Sequence, residues 1–190
     1  WTSIDSTGGD YYGTGKFDSM INFTFNGGNN WDGNYRTNYP KPSNWGNYLS
    51  INSKADSDGN GNRDNVLTYI SSHDTALTRV GDQKAVGTGL ILLPGGIQIY
   101  YGDESNREKA FTGCGDGDMM TRGDMNLAAA KTSDLTKHWG KLGNFRKYNP
   151  AVGAGTGSDY KRSYSGPAGE NKVAIGISGS NVDVQELFLD

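Results

Sequence analysis

Cysteine occurs once in the 190 residues, at Cys114, so no disulfide can form within the chain. A lone cysteine is compatible with a secreted or an intracellular origin. No apolar run is long enough to span a membrane, and the longest, around 89–93, stops at Pro94. Nor does any stripe of basic residues appear. With a net charge of −3 and an isoelectric point near 5.4, the chain is a poor candidate for binding nucleic acid. The first residue is Trp1, and no signal-like segment follows it. On sequence the chain reads as a mature product or an excised piece, with targeting information outside it.

Glycine, by contrast, is abundant, at 29 residues, and Asn, Ser, Asp and Thr fill much of the remainder. Such a composition favours turns over long helices. Apolar residues make up 34% and are spread among the polar stretches, which points to long functional loops and not to wholesale disorder. The length allows one domain, or one and part of another.

Three units repeat the order strand, loop, helix. "SMINFTF" at 19–25, "VLTYI" at 66–70 and "IQIYY" at 97–101 are rich in β-branched and aromatic residues and predict strands. Helices are expected over 45–54 and 84–93, the second ended by Pro94-Gly95-Gly96. The clearest helix begins at Ser133, a natural N-cap. Asp134 adds negative charge to its first turn, and Leu135, Trp139, Leu142 and Phe145 form one apolar stripe before Pro150. Beyond Gly153 the pattern turns to short alternating segments, "KVAIGI" and "VDVQELFL". Strands alternating with helices imply an α/β fold with a parallel sheet.

In parallel α/β sheets, chemistry gathers where strands end and loops begin. Ser72-His73-Asp74 and Gly102-Asp103-Glu104 occupy two such ends. His73-Asp74 is either a site or the cap of an ordinary turn. Asp103 and Glu104 either contact a ligand or pair with Arg107 or Arg122. Arg79 either neutralises Asp74, or lines the cleft, or is a surface arginine on the start of the following helix.

"YISSHDT", "GGIQIYYGDESNRE", "MMTRGDMN" and "HWGKLGNFRKYNPAVGAG" follow one another in the order and spacing of the α-amylase family of glycoside hydrolases (family 13). The first and third segments most resemble the bacterial periplasmic type. The resemblance implies the C-terminal part of a (β/α)8 TIM barrel, strands six to eight, over residues 1–152. The beginning of a C-terminal β-sandwich would follow over 153–190. It implies retaining hydrolysis of α-1,4-glucosidic bonds in starch or maltodextrins, and a secreted or periplasmic location. Asp74 would be the carboxylate that stabilises the oxocarbenium-like transition state. His73 would bind the same sugar, with Ser72, Arg79 and Asp103 as further substrate-binding candidates. At Ser72 the family usually has Asn, whereas the periplasmic type shares the shorter serine.

The family's nucleophile Asp and acid/base Glu, with carboxyl groups ~5–5.5 Å apart, arise from strands four and five. Neither falls in this chain, which is therefore expected to be inactive alone. A non-catalytic carbohydrate-binding or assembly protein on the same frame is the alternative. Expected partners are an α-glucan or maltooligosaccharide, and either the N-terminal barrel half or a second copy. Exposed apolar strands, with Val66, Leu67, Ile97, Ile99 and Tyr101, would drive that association.

Calcium is the cofactor the resemblance admits, with the family's ligands mostly outside this chain. The loop 56–64 begins like a calcium loop, with Asp56, Asp58 and Asn60 at positions one, three and five. Position twelve is Leu67 where an EF-hand needs a bidentate acid, so a solvated turn is the simpler reading. Tyr11, Tyr12, Trp31, Tyr35, Tyr39 and Trp45 form an aromatic cluster suited to sugar stacking or to loop packing. The sequon Asn22-Phe23-Thr24 lies inside a predicted strand.

Overall fold

The computed structural model describes residues 20–22, 66–74, 77–79, 82–110, 120–157, 161–178 and 181–187. The helix expected over 45–54, the loop carrying Asp56, Asp58 and Asn60, the aromatic cluster and Cys114 lie outside these residues. So do Phe23 and Thr24 of the sequon.

Three short strands, β1 (Met20–Asn22), β2 (Val66–Tyr69) and β3 (Gly96–Gln98), form a parallel sheet in chain order. Met20 lies opposite Val66, and Leu67 opposite Gly96. Parallel neighbours need crossovers, and α1 (Gln83–Ile91) supplies the one between β2 and β3. Asp82 caps it, its carboxylate accepting from the backbone of Lys84 and Ala85. Strand β3 ends earlier than its apolar run suggests. The Asp103 carboxylate takes the Tyr100 N–H and Asp103 N–H returns to the Tyr100 carbonyl, so a turn replaces the ladder there.

Two helices follow, α2 (Leu127–Thr132) and α3 (Asp134–Tyr148). Ser133 caps α3 as its sequence predicts, accepting from Leu135 and Thr136 N–H. Helix α2 was not expected. Its signal, Asn126 before Leu-Ala-Ala-Ala, combines an N-cap with strong helix formers. Trp139 on α3 is buried against Gly87 of α1, where a Cβ would overlap the indole. That contact brings the two helices together.

Past the short helix α4 (Ala151–Ala154) runs an antiparallel sheet. Its strands β4 (Thr156–Gly157), β5 (Lys161–Gly166), β6 (Gly169–Ser178) and β7 (Asn181–Leu187) lie in sequence order. The architecture therefore changes near residue 155. The apolar core does not divide there. Val173 and Ile175 of β6 join Ile70, Val86, Leu90, Trp139 and Val152 in one buried cluster.

Two arginines, Arg146 half-buried and Arg162 buried, fix this arrangement. A helix end leaves carbonyls without partners. After α1, Arg146 donates to the carbonyls of Ile91 (2.8 Å), Leu93 (2.6 Å) and Gly95, while Arg162 from β5 donates to Leu92 (2.6 Å) and to Val152. Cations at a helix C-terminus are also favoured by the helix dipole. Burial pushes the Arg146 guanidinium down to about 10.

At the sheet itself, Ile99 is 45% and Tyr101 41% exposed, while Leu67 and Ile97 are partly buried. No helix among the described residues is long and apolar enough to cross a membrane.

Candidate functional site

The chain leaves β2 through a buried stretch, Tyr69 to Ser72, and then turns into solvent. Two hydroxyls close the following loop. Ser71 Oγ accepts the Thr78 N–H at 3.1 Å, and Thr78 Oγ1 donates to the Ile70 carbonyl at 2.9 Å. Ser72 Oγ accepts the Asp74 N–H at 3.1 Å, a local turn that a serine side chain is short enough to make. The backbone is thus held while the next two side chains remain open, at 60% exposure for His73 and 47% for Asp74.

His73 Nε2 lies 2.9 Å from Asp74 Oδ1. Arg122, from the distant 120–126 segment, brings NH2 to 3.4 Å from the same oxygen. Thr121 Oγ1 donates to the His73 carbonyl at 2.6 Å, tying the two segments together. Asp74 Oδ2 accepts nothing from the described residues. The arrangement is a carboxylate approached on one oxygen by His73 Nε2 and Arg122 NH2, with its other oxygen turned to none of the described residues.

Behind this pair lies a second, buried one. Arg79 NH1 meets Asp103 Oδ1 at 2.7 Å, with side chains 2% and 0% exposed. The partner expected for Asp103 was Arg107 or Arg122, and the partner weighed for Arg79 was Asp74. The structure corrects both. The Asp103 turn folds its carboxylate inward beneath β3, and Arg79 enters from the β2 side. Arg79 also donates to the carbonyls of Thr78 (2.9 Å) and Arg107 (2.7 Å). Neither charged group reaches solvent, so both support the site from behind and do not line it. Burial pushes the Asp103 carboxyl up, against the pull of Arg79 and of hydrogen bonds from Ser71 and Tyr100. The Glu104 carboxylate turns back to the Gly102 N–H at 3.0 Å and pairs with no arginine among the described residues.

Arg107 is buried too, and its guanidinium spends itself on backbone. It donates to the carbonyls of Tyr101 (3.1 Å), Thr121 (2.8 Å) and Gly123 (3.0 Å) and lies 4.1 Å from the Tyr101 ring centroid. Burial, with Tyr101 beside it, pushes the Tyr100 phenol up to about 12, so it stays a donor, and it donates to the Thr121 carbonyl at 3.2 Å.

Of the residues singled out in the sequence, Ser72, His73 and Asp74 come together at the mouth of the sheet, while Arg79 and Asp103 form a separate buried pair. Thr121 was not singled out, and Arg122 was weighed only as a partner of Asp103 and Glu104; both prove to be neighbours of the His73–Asp74 pair. They lie inside the segment "MMTRGDMN", but nothing along the chain places residue 122 beside residue 74.

No protein-family model matches the chain. Over 93 residues it is 48% identical to the periplasmic alpha-amylase of Escherichia coli (strain K12). The chain is similar to an α-amylase over a C-terminal portion of that enzyme. The match covers 48% of this chain and 14% of the amylase's length, so the chain spans a small part of its relative. Mixed helix and strand, with a parallel sheet, is the architecture found alongside that likeness. Among the described residues no group of three or more His, Cys, Asp and Glu could hold a metal ion. The loop with Asp56, Asp58 and Asn60 lies outside them.

Proposed function

We propose that the chain is part of an α-amylase-type glycoside hydrolase that cleaves α-1,4-glucosidic bonds of starch or maltodextrins with retention, outside the cytoplasm. In this reading β1, β2 and β3 are strands six, seven and eight of a (β/α)8 barrel, and the antiparallel sheet opens the C-terminal β domain. The observation that carries it is the open His73–Asp74 pair, at the C-terminal end of a parallel strand, in a chain with 48% identity to an amylase.

The Asp74 carboxylate would accept hydrogen bonds from two neighbouring sugar hydroxyls. Those bonds strengthen as positive charge develops at the anomeric carbon, so they lower the barrier more than they tighten binding. His73 would hold one of the same hydroxyls. The nucleophile and acid/base would come from elsewhere in the whole protein, and the 190 residues alone would release no reducing sugar from starch.

The test is Asp74→Asn in the full-length protein, assayed on maltooligosaccharides. Removing a preorganised charge while keeping the shape should lower turnover at least ~100-fold, with a smaller change in KM. His73→Asn should cost less, because no charge is lost. Near-normal turnover for Asp74→Asn would return "YISSHDT" to an ordinary turn. A full-length protein that binds maltooligosaccharide without cleaving it would replace the enzyme with a non-catalytic binding protein.

A further inference from the structure

Arg122 reaches Asp74 from a segment that has no regular secondary structure, across a half-exposed gap of 3.4 Å. An exposed ion pair of that length contributes little to stability and does not hold its own geometry. The placement must come from the backbone on which Arg122 sits.

That backbone is gripped on both sides. The carbonyl before Arg122, on Thr121, accepts from Arg107 NH2 at 2.8 Å and from the Tyr100 hydroxyl at 3.2 Å. The carbonyl after it, on Gly123, accepts from Arg107 NH1 at 3.0 Å and from the Tyr101 hydroxyl at 3.0 Å. One planar guanidinium therefore spans the carbonyls of the residues on either side of Arg122. It is itself fixed by Nε on the Tyr101 carbonyl and by stacking near the Tyr101 ring. Gly102 makes room for it. Its φ is +86°, and a Cβ there would overlap the Arg107 side chain. The Thr121 hydroxyl completes the link by donating to the His73 carbonyl at 2.6 Å.

We propose that Arg107 is a positioning residue, gripping the carbonyls of Thr121 and Gly123 so that Arg122 between them steadies Asp74 at the reacting centre. The inference rests on the reading of Asp74 given above and adds to it a residue that touches neither substrate nor carboxylate. Lysine cannot substitute, because a point charge on a flexible stem cannot span two carbonyls and stack at once. Relaxing the grip lets Arg122 swing away and Asp74 lose its fixed orientation. A misplacement on the scale of an ångström is enough to lower turnover by roughly 10–100-fold.

The experiment is a double-mutant cycle in the full-length protein, measuring kcat and KM on a maltooligosaccharide for Arg107→Lys, Arg122→Ala and the pair. Arg107→Lys should lower kcat at least about tenfold, with KM less affected. Arg122→Ala should have little further effect in that background, because the first change has already released it. Losses in kcat that multiply independently, or wild-type kcat in Arg107→Lys, would overturn the proposal. Should Arg107→Lys fail to fold, Thr121→Val takes its place, since it removes the hydroxyl link from this backbone to His73. Coupling between Thr121→Val and Arg122→Ala supports the proposal, and independence overturns it. Asp74→Asn run alongside separates the two layers. A large loss there with uncoupled arginines removes only the positioning role, whereas near-normal turnover removes both.

Discussion

Asp103→Ala should destabilise the protein by about 3–5 kcal/mol, although Asp103 would contact no substrate. The magnitude follows from what the carboxylate faces. Arg79, 2.7 Å away with a side chain 2% exposed, would be left as a buried cation that water cannot reach. Its carbonyl partners on Thr78 and Arg107 remain, but they carry no compensating charge. The Tyr100 N–H would lose its acceptor as well, loosening the turn that ends β3. For a protein of this size the unfolding midpoint should fall by roughly 6–20 °C.

Replacing both partners, Arg79→Met with Asp103→Leu, should recover most of that loss. Burial holds the Asp103 carboxyl above its usual 3.8, which means that desolvation outweighs the attraction of Arg79 in this pair. The folded state therefore keeps its proton longer than the unfolded state. This group's contribution is most favourable below pH ~4 and declines as pH rises through the raised value. Thermal and urea unfolding of the wild type, both single variants and the double variant would measure the cycle. A loss under about 1 kcal/mol for Asp103→Ala would refute the reasoning. So would a double variant as unstable as the two single changes combined.

His138 should make stability fall in mild acid. Burial beside Thr88 and the Lys84 carbonyl holds its pKa below 6.5, so the unfolded chain takes up the proton first. Stability is then lost as pH drops through 6.5, and His138→Gln should flatten that slope in denaturant titrations compared at pH 7.5 and 5.5. Two glycines on neighbouring helices should respond to alanine with opposite sign. Gly87→Ala drives a Cβ into the Trp139 indole and should cost about 1–3 kcal/mol. Gly140→Ala, with nothing within 4 Å of the new methyl, should stabilise α3 by about 0.5–1 kcal/mol. Melting curves of the two variants would show whether the contact or the propensity decides.

The sequence by itself determined what is local. Ser133 and the Leu135–Trp139–Leu142–Phe145 stripe announce α3, because a cap and a 3.6-residue period act within a few turns of chain. Pro94 and the glycines beside it end the run that becomes α1, and the apolar stretch at 66–70 becomes a central strand carrying His73-Asp74 to its open end. The likeness to an α-amylase was legible too, since segments such as "YISSHDT" are contiguous.

What only the tertiary structure decided is partnership among charges. Five arginines, at 79, 107, 122, 146 and 162, look alike in one dimension. Folding sends Arg79 to Asp103, Arg122 to Asp74, and the other three to backbone carbonyls that helix ends and turns leave unpaired. A long flexible side chain can reach any of several partners along the sequence. Which one it takes depends on where burial removes water, and burial is a property of the packed sheet, helices and turns together.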